Sequence, residues 1–231
     1  MSRVIAAPLA GKTLAAHGAD VLWVTSSSLP ALPTMDRGFG RGKRIIQLDI
    51  DKAPKSCSTK GGLRPGSLAS RSLSPEEIVK TNPGIIIANM SAFGPTRPWS
   101  NRRGFDSLVQ TCNGMNVSEA AHFGAGEAAR PLPCQILDHA GWYLLATGII
   151  ASLYRQSGEG GAWQVDISFA SIMKYLRSLG QYRDQMEYLE ACESGFGLLE
   201  AVRHSAAIEG CSVGWEIIPK RLGSDGPKWL R

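Results

Sequence analysis

Asp138 is the residue of this sequence best placed to act as a nucleophile. It follows Ile136 and Leu137 and opens a periodic apolar segment that reaches about Arg155, which predicts a long helix. An Asp at such a position is typical of a helix N-cap, where its side chain accepts a backbone N–H. The positive end of a helix also keeps a carboxylate ionised, and carboxylates form covalent intermediates with activated acyl groups. The two interpretations are compatible, and position alone favours the N-cap.

Short basic groups are the second feature that could bind a ligand. Arg41, Lys43 and Arg44 lie in one glycine-containing loop, and Arg102 and Arg103 are adjacent in another. Arg and Lys pair with phosphate groups, although short charge runs are more often solvated turns. With 25 basic and 20 acidic residues the net charge is +5, without a long basic run or interleaved aromatic residues. We therefore expect no nucleic-acid partner.

Cysteine content and apolar segments indicate the compartment. The five cysteines are odd in number and form no CxxC, which predicts reduced thiols and no metal site. The start shows no secretory signal, and the longest apolar stretch, 142–153, is short for a bilayer span and is interrupted by Gly148. We expect a cytoplasmic protein without a membrane partner, and the mitochondrion stays open as an alternative.

Alternating strands and helices are expected to position these residues. Runs of β-branched and apolar residues predict strands at 21–25, 45–49, 85–89 and 163–168. Apolar periodicity and a Ser74-to-Glu77 capping box predict helices at 4–17, 75–81, 104–115, 138–155 and 169–179. Loops are predicted at 26–33, 38–44, 50–71 and 120–132. The alternation predicts an α/β fold with an open, mainly parallel sheet and flanking helices.

The organisation predicted from the sequence is one large region followed by a tail. Residues 1–183 hold the alternating elements, and residues 184–231 are predicted to form short helices and loops that pack on them. In α/β folds of this kind, ligands bind at the carboxyl ends of the strands.

Six segments in order resemble family III CoA-transferases, the CaiB/BaiF family that also contains α-methylacyl-CoA racemases. The segment 138–153 resembles the region around the family's nucleophilic aspartate. The other similar segments are 7–22, 41–50 with its Arg-Gly-Lys-Arg, Arg64-Pro65-Gly66, Ser91-Ala92-Phe93-Gly94 and Gly104-Phe105-Asp106. The resemblance implies the Rossmann-like large domain of that family, with the small domain apparently missing.

The resemblance also implies a reaction and a set of site residues. The chain is expected to move CoA from an acyl-CoA to a carboxylic acid through an aspartyl-CoA thioester on Asp138. Coenzyme A and acyl-CoA would be substrates, and no permanently bound cofactor or metal is expected. Residues that match or adjoin the family's CoA-binding segments are Val4, Ala6, Arg41, Lys43, Arg44, Leu63 and Arg64.

Two alternatives remain open beside the transferase. A racemase of this family needs a histidine where Phe105 stands, and Phe105 cannot exchange a proton; His139 occupies a different position of the pattern. The family's first strand, one helix before Arg64 and its small domain also lack clear counterparts. A catalytically impaired CoA-binding or dimer-partner protein is therefore the other alternative. Since family members form interlocked dimers, a homodimer or a partner half-chain is expected.

Overall fold

The computed structural model of the chain describes residues 5–25, 32–47, 74–96, 98–180, 189–194, 197–202 and 209–210. The chain forms two compact units, residues 1–179 and 180–231. The predicted domain boundary after residue 183 and the predicted loop at 50–71 lie outside the described residues.

Two pairs of parallel strands form the sheet structure of the first unit. Strands β1 (Val21–Thr25) and β2 (Lys43–Gln47) pair in parallel, as do β3 (Ile86–Ser91) and β4 (Trp163–Ser168). The predicted α/β class with parallel strands is confirmed. Among the described residues of the first unit, these four strands form two separate two-stranded sheets.

Seven helices accompany these strands in the described part of the first unit. They are α1 (Ala6–Ala16), α2 (Pro33–Phe39), α3 (Pro75–Thr81), α4 (Asp106–Cys112), α5 (Met115–Phe123), α6 (Ile136–Glu159) and α7 (Phe169–Ser178). The predicted cap is confirmed, because Ser74 Oγ accepts the backbone N–H of Glu77 at 3.3 Å.

The structure differs from the predicted elements at two places in this unit. The helix α2 fills the gap between two predicted loops, 26–33 and 38–44, and overlaps their ends; a helix of two turns has too little apolar periodicity to recognise. The single helix predicted at 104–115 ends early because Gly114 adopts a left-handed conformation with φ 71°. A second helix, α5, then continues to Phe123 through residues that were predicted as loop.

Helix α6 is the central helix of the first unit and lies close to the strands. It packs against β3, β4, α1 and α7. A methyl group added at Gly148 would lie 2.6 Å from Val165 Cγ1, and one added at Gly141 would lie 3.0 Å from Met90 Cε. The two glycines, seven residues apart on one helix face, therefore allow this close packing.

The core joins the N-terminal ends of three helices. A cluster of buried side chains comprises Ala6, Ala92, Val109, Leu137, Phe169, Ile172 and Met173. Ala6 begins α1, Val109 lies in α4 and Leu137 lies in the first turn of α6. The first turns of α1 and α6 thus share one packed region with α4.

By length and composition, helix α6 could cross a membrane, with a mean hydropathy of 1.3 over its most apolar 18-residue window. The whole helix has 24 residues, twice the apolar stretch considered in the sequence. Core helices meet the same criterion, and α6 packs on α1, α4, α7, β3 and β4. It also carries a buried acid, Asp138, in its first turn.

The described strands of the second unit form an antiparallel pair. Strands β5 (Leu189–Ser194) and β6 (Gly197–Val202) pair with Leu189 opposite Val202. The prediction of short helices in 184–231 is wrong for these residues. The segment Leu189 to Ser194 alternates partly buried and exposed positions over most of its length, which is the two-residue period of a strand.

Candidate active site

Two buried aspartates lie next to each other at helix N-termini. Asp138 is the third residue of α6 and is 7% exposed, and Asp106 is the first residue of α4 and is 0% exposed. The backbone N–H of Asp138 donates a hydrogen bond of 2.8 Å to Asp106 Oδ2. Asp carboxylates are rarely buried unless partners satisfy them, so this pair is the candidate centre of a functional site.

The position of Asp138 corrects the N-cap interpretation. The N-cap of α6 is Gln135, and Asp138 lies inside the first turn. Its Oδ1 instead accepts the backbone N–H of Ala6 at 3.2 Å. Ala6 is the first residue of α1, whose own N-cap, Ile5, has no side chain that could cap it. The Asp138 carboxylate therefore caps a second helix and lies at two helix N-termini.

Burial, and to a smaller extent the nearby Asp106 carboxylate, together raise the pKa of Asp138 from an ordinary value of 3.8 to about 6. The Ala6 N–H opposes both effects without cancelling them. The expectation that a helix end alone sets the ionisation of Asp138 is therefore incomplete. With a pKa of about 6, about 90% of Asp138 is ionised at pH 7.

Asp106 is the site residue that the sequence interpretation missed. Its Oδ1 accepts a short hydrogen bond from the Gln110 side-chain amide, which also reaches the carbonyl of Cys134 at 3.4 Å. The sequence showed only that Asp106 begins a helix after Gly104 and Phe105. Two signals were available: the Gly104-Phe105-Asp106 segment, which resembles the family without indicating a contact with Asp138, and a Gln four residues after the acid, which is common on helices.

Of the seven predicted CoA-binding residues, the structure describes Ala6, Arg41, Lys43 and Arg44. Ala6 contacts Asp138 directly. Val4, Leu63 and Arg64 lie outside the described residues.

Of the three basic residues at 41–44, Lys43 is the one whose side chain points inward; it is the first residue of β2. Its Nζ donates to the Pro8 carbonyl at 2.5 Å and lies 4.6 Å from the ring centroid of Trp23. Burial, with a smaller effect from Lys12, lowers the pKa of Lys43 to about 8. Lys43 therefore links α1 to β2.

The other two basic residues of that loop face solvent. Arg44 forms a two-fold ion pair with Asp20, with nitrogen–oxygen distances of 3.0 and 2.6 Å. Arg41 is exposed at the turn before β2. Of the three, Arg41 and Arg44 are the ones accessible to a phosphate group.

The positions relevant to a racemase also face outward. Phe105, which precedes Asp106, is 55% exposed, and His139 is exposed beside Asp138. Within the described ranges, no group of three or more His, Cys, Asp or Glu side chains could hold a metal ion.

An open cavity of about 620 Å³ lies at the carboxyl ends of β3 and β4. Phe93 and Trp99, whose rings meet edge to face at 5.0 Å, form one wall. Lys174 and Arg177 from α7 contribute positive charge. Ligands of α/β folds bind at this edge of the sheet.

The chain is similar in sequence to a known protein family and to several of its members. A family model described as CoA-transferase family III matches residues 61–186, a range that contains both Asp106 and Asp138. The CaiB/baiF CoA-transferase family protein ZK892.4 of Caenorhabditis elegans is 33% identical over 193 residues, which are 77% of this chain and 54% of that relative. The mouse alpha-methylacyl-CoA racemase is 28% identical over 182 residues, 74% of this chain and 46% of the racemase.

A third relative is known in sequence and structure. The probable fatty acyl-CoA transferase Rv3272 of Mycobacterium tuberculosis is 26% identical over 191 residues, 73% of this chain and 48% of that protein. Its crystal structure superposes with a TM-score of 0.63 at 22% identity, covering 86% of this chain and 60% of that one. The likeness shows a shared fold. The chain spans about half the length of these curated relatives, at 54% and 48%.

Proposed function

This chain belongs to CoA-transferase family III, and on that premise we propose that it transfers CoA from an acyl-CoA to a carboxylic acid, with Asp138 as the nucleophile. One observation carries the proposal: Asp138 is buried, yet its pKa of about 6 leaves it mostly ionised at neutral pH. A buried carboxylate with few water contacts is a stronger nucleophile than a solvated one.

The proposed reaction begins with transfer of the acyl group to Asp138. A carboxylate oxygen of Asp138 attacks the thioester carbonyl carbon, the carbon–sulfur bond breaks, and CoA leaves as a thiolate. The product on the protein is a mixed anhydride. The thiolate then attacks the Asp138 carbonyl carbon of this anhydride, and the original acyl group leaves as a carboxylate. The result is an aspartyl-CoA thioester.

The acceptor acid completes the cycle by the same two steps in reverse. Its carboxylate attacks the aspartyl thioester, CoA leaves as a thiolate, and the thiolate attacks the acyl carbon that came from the acceptor. Asp138 is released as a carboxylate together with a new acyl-CoA. The burial of Asp138 supports this scheme, because both covalent intermediates hydrolyse in contact with water.

For CoA binding, we propose Arg41 and Arg44 as phosphate contacts. Both are exposed, and guanidinium groups pair with phosphate oxygens. Lys43 is engaged with Pro8 and Trp23, which favours a structural role for it.

A CoA-binding partner without its own turnover is the second candidate. It is favoured by the exposed Arg41 and Arg44, which could bind the phosphate groups of CoA whether or not Asp138 reacts. In that case a second chain, either another copy or a partner half-chain, would complete the enzyme. A racemase is less favoured, because Phe105 carries no exchangeable proton.

Mass spectrometry of the chain after incubation with acetyl-CoA tests the proposal. We expect a CoA thioester on the peptide that contains Asp138, which hydroxylamine removes. Asp138→Asn should carry no adduct. Glu159→Gln is the matched control, because Glu159 is an exposed acid at the other end of the same helix. CoA binding by calorimetry without any adduct would favour the partner candidate.

A further inference from the structure

The Asp106 carboxylate is held from two sides. Oδ2 accepts the backbone N–H of Asp138 at 2.8 Å, and Oδ1 accepts the side-chain amide of Gln110. The residue is 0% exposed, so no solvent competes for either oxygen. Two hydrogen bonds hold this buried carboxylate in place. Its negative charge acts on Asp138 in the first turn of α6, whose pKa it raises.

This negative charge lies beside the proposed nucleophile. Asp138 is 7% exposed, so little water screens one carboxylate from the other. The hydrogen bond from the Ala6 N–H to Asp138 partly compensates the repulsion. The ionised form of Asp138 is therefore less stable here than it would be beside a neutral group.

We propose that Asp106 is the positioning residue of Asp138: it fixes the backbone of the nucleophile and destabilises the free Asp138 carboxylate relative to its acylated forms. The inference rests on the proposed function. It assigns to Asp106 a role that is electrostatic as well as structural.

The charge balance of the reaction explains why this arrangement favours turnover. When Asp138 attacks the thioester, its negative charge passes to the departing CoA thiolate, and the anhydride left on Asp138 is neutral. The aspartyl-CoA thioester is neutral as well. Repulsion by Asp106 acts on the free carboxylate and is relieved in both covalent states. Asp106 itself neither gains nor loses a proton or a bond.

A purely structural role makes a different prediction. If Asp106 only capped the backbone of α6, removing its charge while keeping the acceptor would leave the ionisation of Asp138 unchanged. The variant Asp106→Asn does this, because the Asn oxygen can still accept the Asp138 N–H. Gln110 can rotate its amide so that its oxygen accepts from the new amide group, at the cost of its contact with Cys134.

The deciding measurement is a carbon NMR titration of carboxyl-labelled aspartates in the ligand-free protein. Asp138→Asn identifies the Asp138 signal by its disappearance. In the wild type we expect a midpoint near pH 6 for Asp138, and in Asp106→Asn a midpoint at clearly lower pH. An unchanged midpoint in the folded variant overturns the proposal.

Single-turnover acylation by acetyl-CoA is the second measurement. In Asp106→Asn, the pH at which the acylation rate is half-maximal should be lower than in the wild type. The rate at pH 8 should fall by about threefold for each unit by which the pKa of Asp138 decreases, if the dependence on basicity is that of thiol exchange. If the rate falls but the pH at which it is half-maximal does not change, the role of Asp106 is structural and the proposal is overturned.

Two further readouts cover the remaining outcomes. If Asp106→Asn does not fold, the NMR signal of Asp106 in the wild type is measured instead. The chemical shift of this signal should change at the pH where Asp138 titrates, and the change should disappear in Asp138→Asn. If the wild-type Asp106 signal shows no such change, the proposal is overturned. If the NMR midpoint moves but wild type forms no acyl or CoA adduct, the proposed function fails, and with it the catalytic role of Asp106.

Discussion

The backbone N–H of Ala6 donates a hydrogen bond of 3.2 Å to Asp138 Oδ1, across 132 positions of sequence. Ala6 is the first residue of α1, so the proposed nucleophile also serves as that helix's cap. The proposed acylation of Asp138 would remove the negative charge from this contact and weaken it. On that proposal, the docking of α1 and the chemical state of Asp138 are coupled.

Replacing Asp138 by Asn should stabilise the fold at neutral and alkaline pH. The pKa rises from 3.8 to about 6 on folding, so the folded state binds a proton more tightly than the unfolded state. Stability from this group is full below pH 4 and is lost as the pH rises through 6. We expect Asp138→Asn to gain about 1–3 kcal/mol over wild type at pH 8.

Urea unfolding at pH 8 and pH 4 measures this difference. The advantage of the variant should shrink at the lower pH, because wild-type Asp138 is then protonated in the folded state and the fold no longer holds a buried charge at this position. Glu159→Gln, on the exposed end of α6, should show no such change. A gain in unfolding free energy that is equal at both pH values would contradict the raised pKa of Asp138.

Acylation of the wild-type chain should lose rate in acid. Only the ionised carboxylate attacks a thioester, so the single-turnover rate with acetyl-CoA should be half-maximal near pH 6. Below that value it should fall about tenfold per pH unit. Rapid-quench measurements between pH 4.5 and 8 give this profile. A rate that does not vary with pH over this range would exclude Asp138 as the nucleophile.

The segment 41–44 should bind CoA through its exposed arginines and not through its lysine. Arg41→Ala is expected to weaken CoA affinity about two- to fivefold, the size of an exposed charge contact. Lys43→Met should change it less, because Lys43 Nζ is bound to the Pro8 carbonyl. Calorimetric titration at low and high salt compares them; equal losses would place Lys43 in the binding site.

Lys43 should also give the stability curve a distinct alkaline slope. Its pKa is lowered from 10.5 to about 8 on folding, so the unfolded state binds more protons between these values. Wild-type unfolding free energy should rise relative to Lys43→Met as the pH increases from 8 to 10.5. Unfolding curves over this range test the effect, and parallel curves would refute it.

The close packing of α6 predicts opposite effects for two glycines of one helix. Gly148→Ala should destabilise the fold by about 1–3 kcal/mol, since its methyl group would lie 2.6 Å from Val165 Cγ1. Gly158 has no neighbour within 4 Å of an added methyl group. Gly158→Ala should therefore be neutral or stabilise by up to about 1 kcal/mol. Thermal unfolding of both variants checks the contrast.

Local patterns predicted those elements whose signals are local. The alternation from Trp163 to Ser168 placed β4 with the observed bounds, and Ser74 with Glu77 placed the start of α3. The left-handed Gly114 was not recognisable, because a Gly in an apolar segment is compatible with either a continuous or a broken helix.

The candidate site was predictable only in part, because a sequence shows local patterns but not which distant residues come into contact. Asp138 was recognised from its own segment, and its resemblance to a family added a role. Its contact with Asp106 joins residues 32 positions apart, and no local pattern encodes such a contact. Lys43 was grouped with its basic neighbours by sequence, whereas successive strand residues point to opposite faces. Its inward direction follows from the packing of α1 on β2.

The link between Ala6 and Asp138 has a consequence for biosynthesis. A ribosome that adds about 5–20 residues per second needs roughly 7–26 s to extend the chain by the 132 positions that separate the two. Until then the first helix has been made but its carboxylate cap has not. The cap of the first helix therefore forms only when an early segment of the chain and a late one meet.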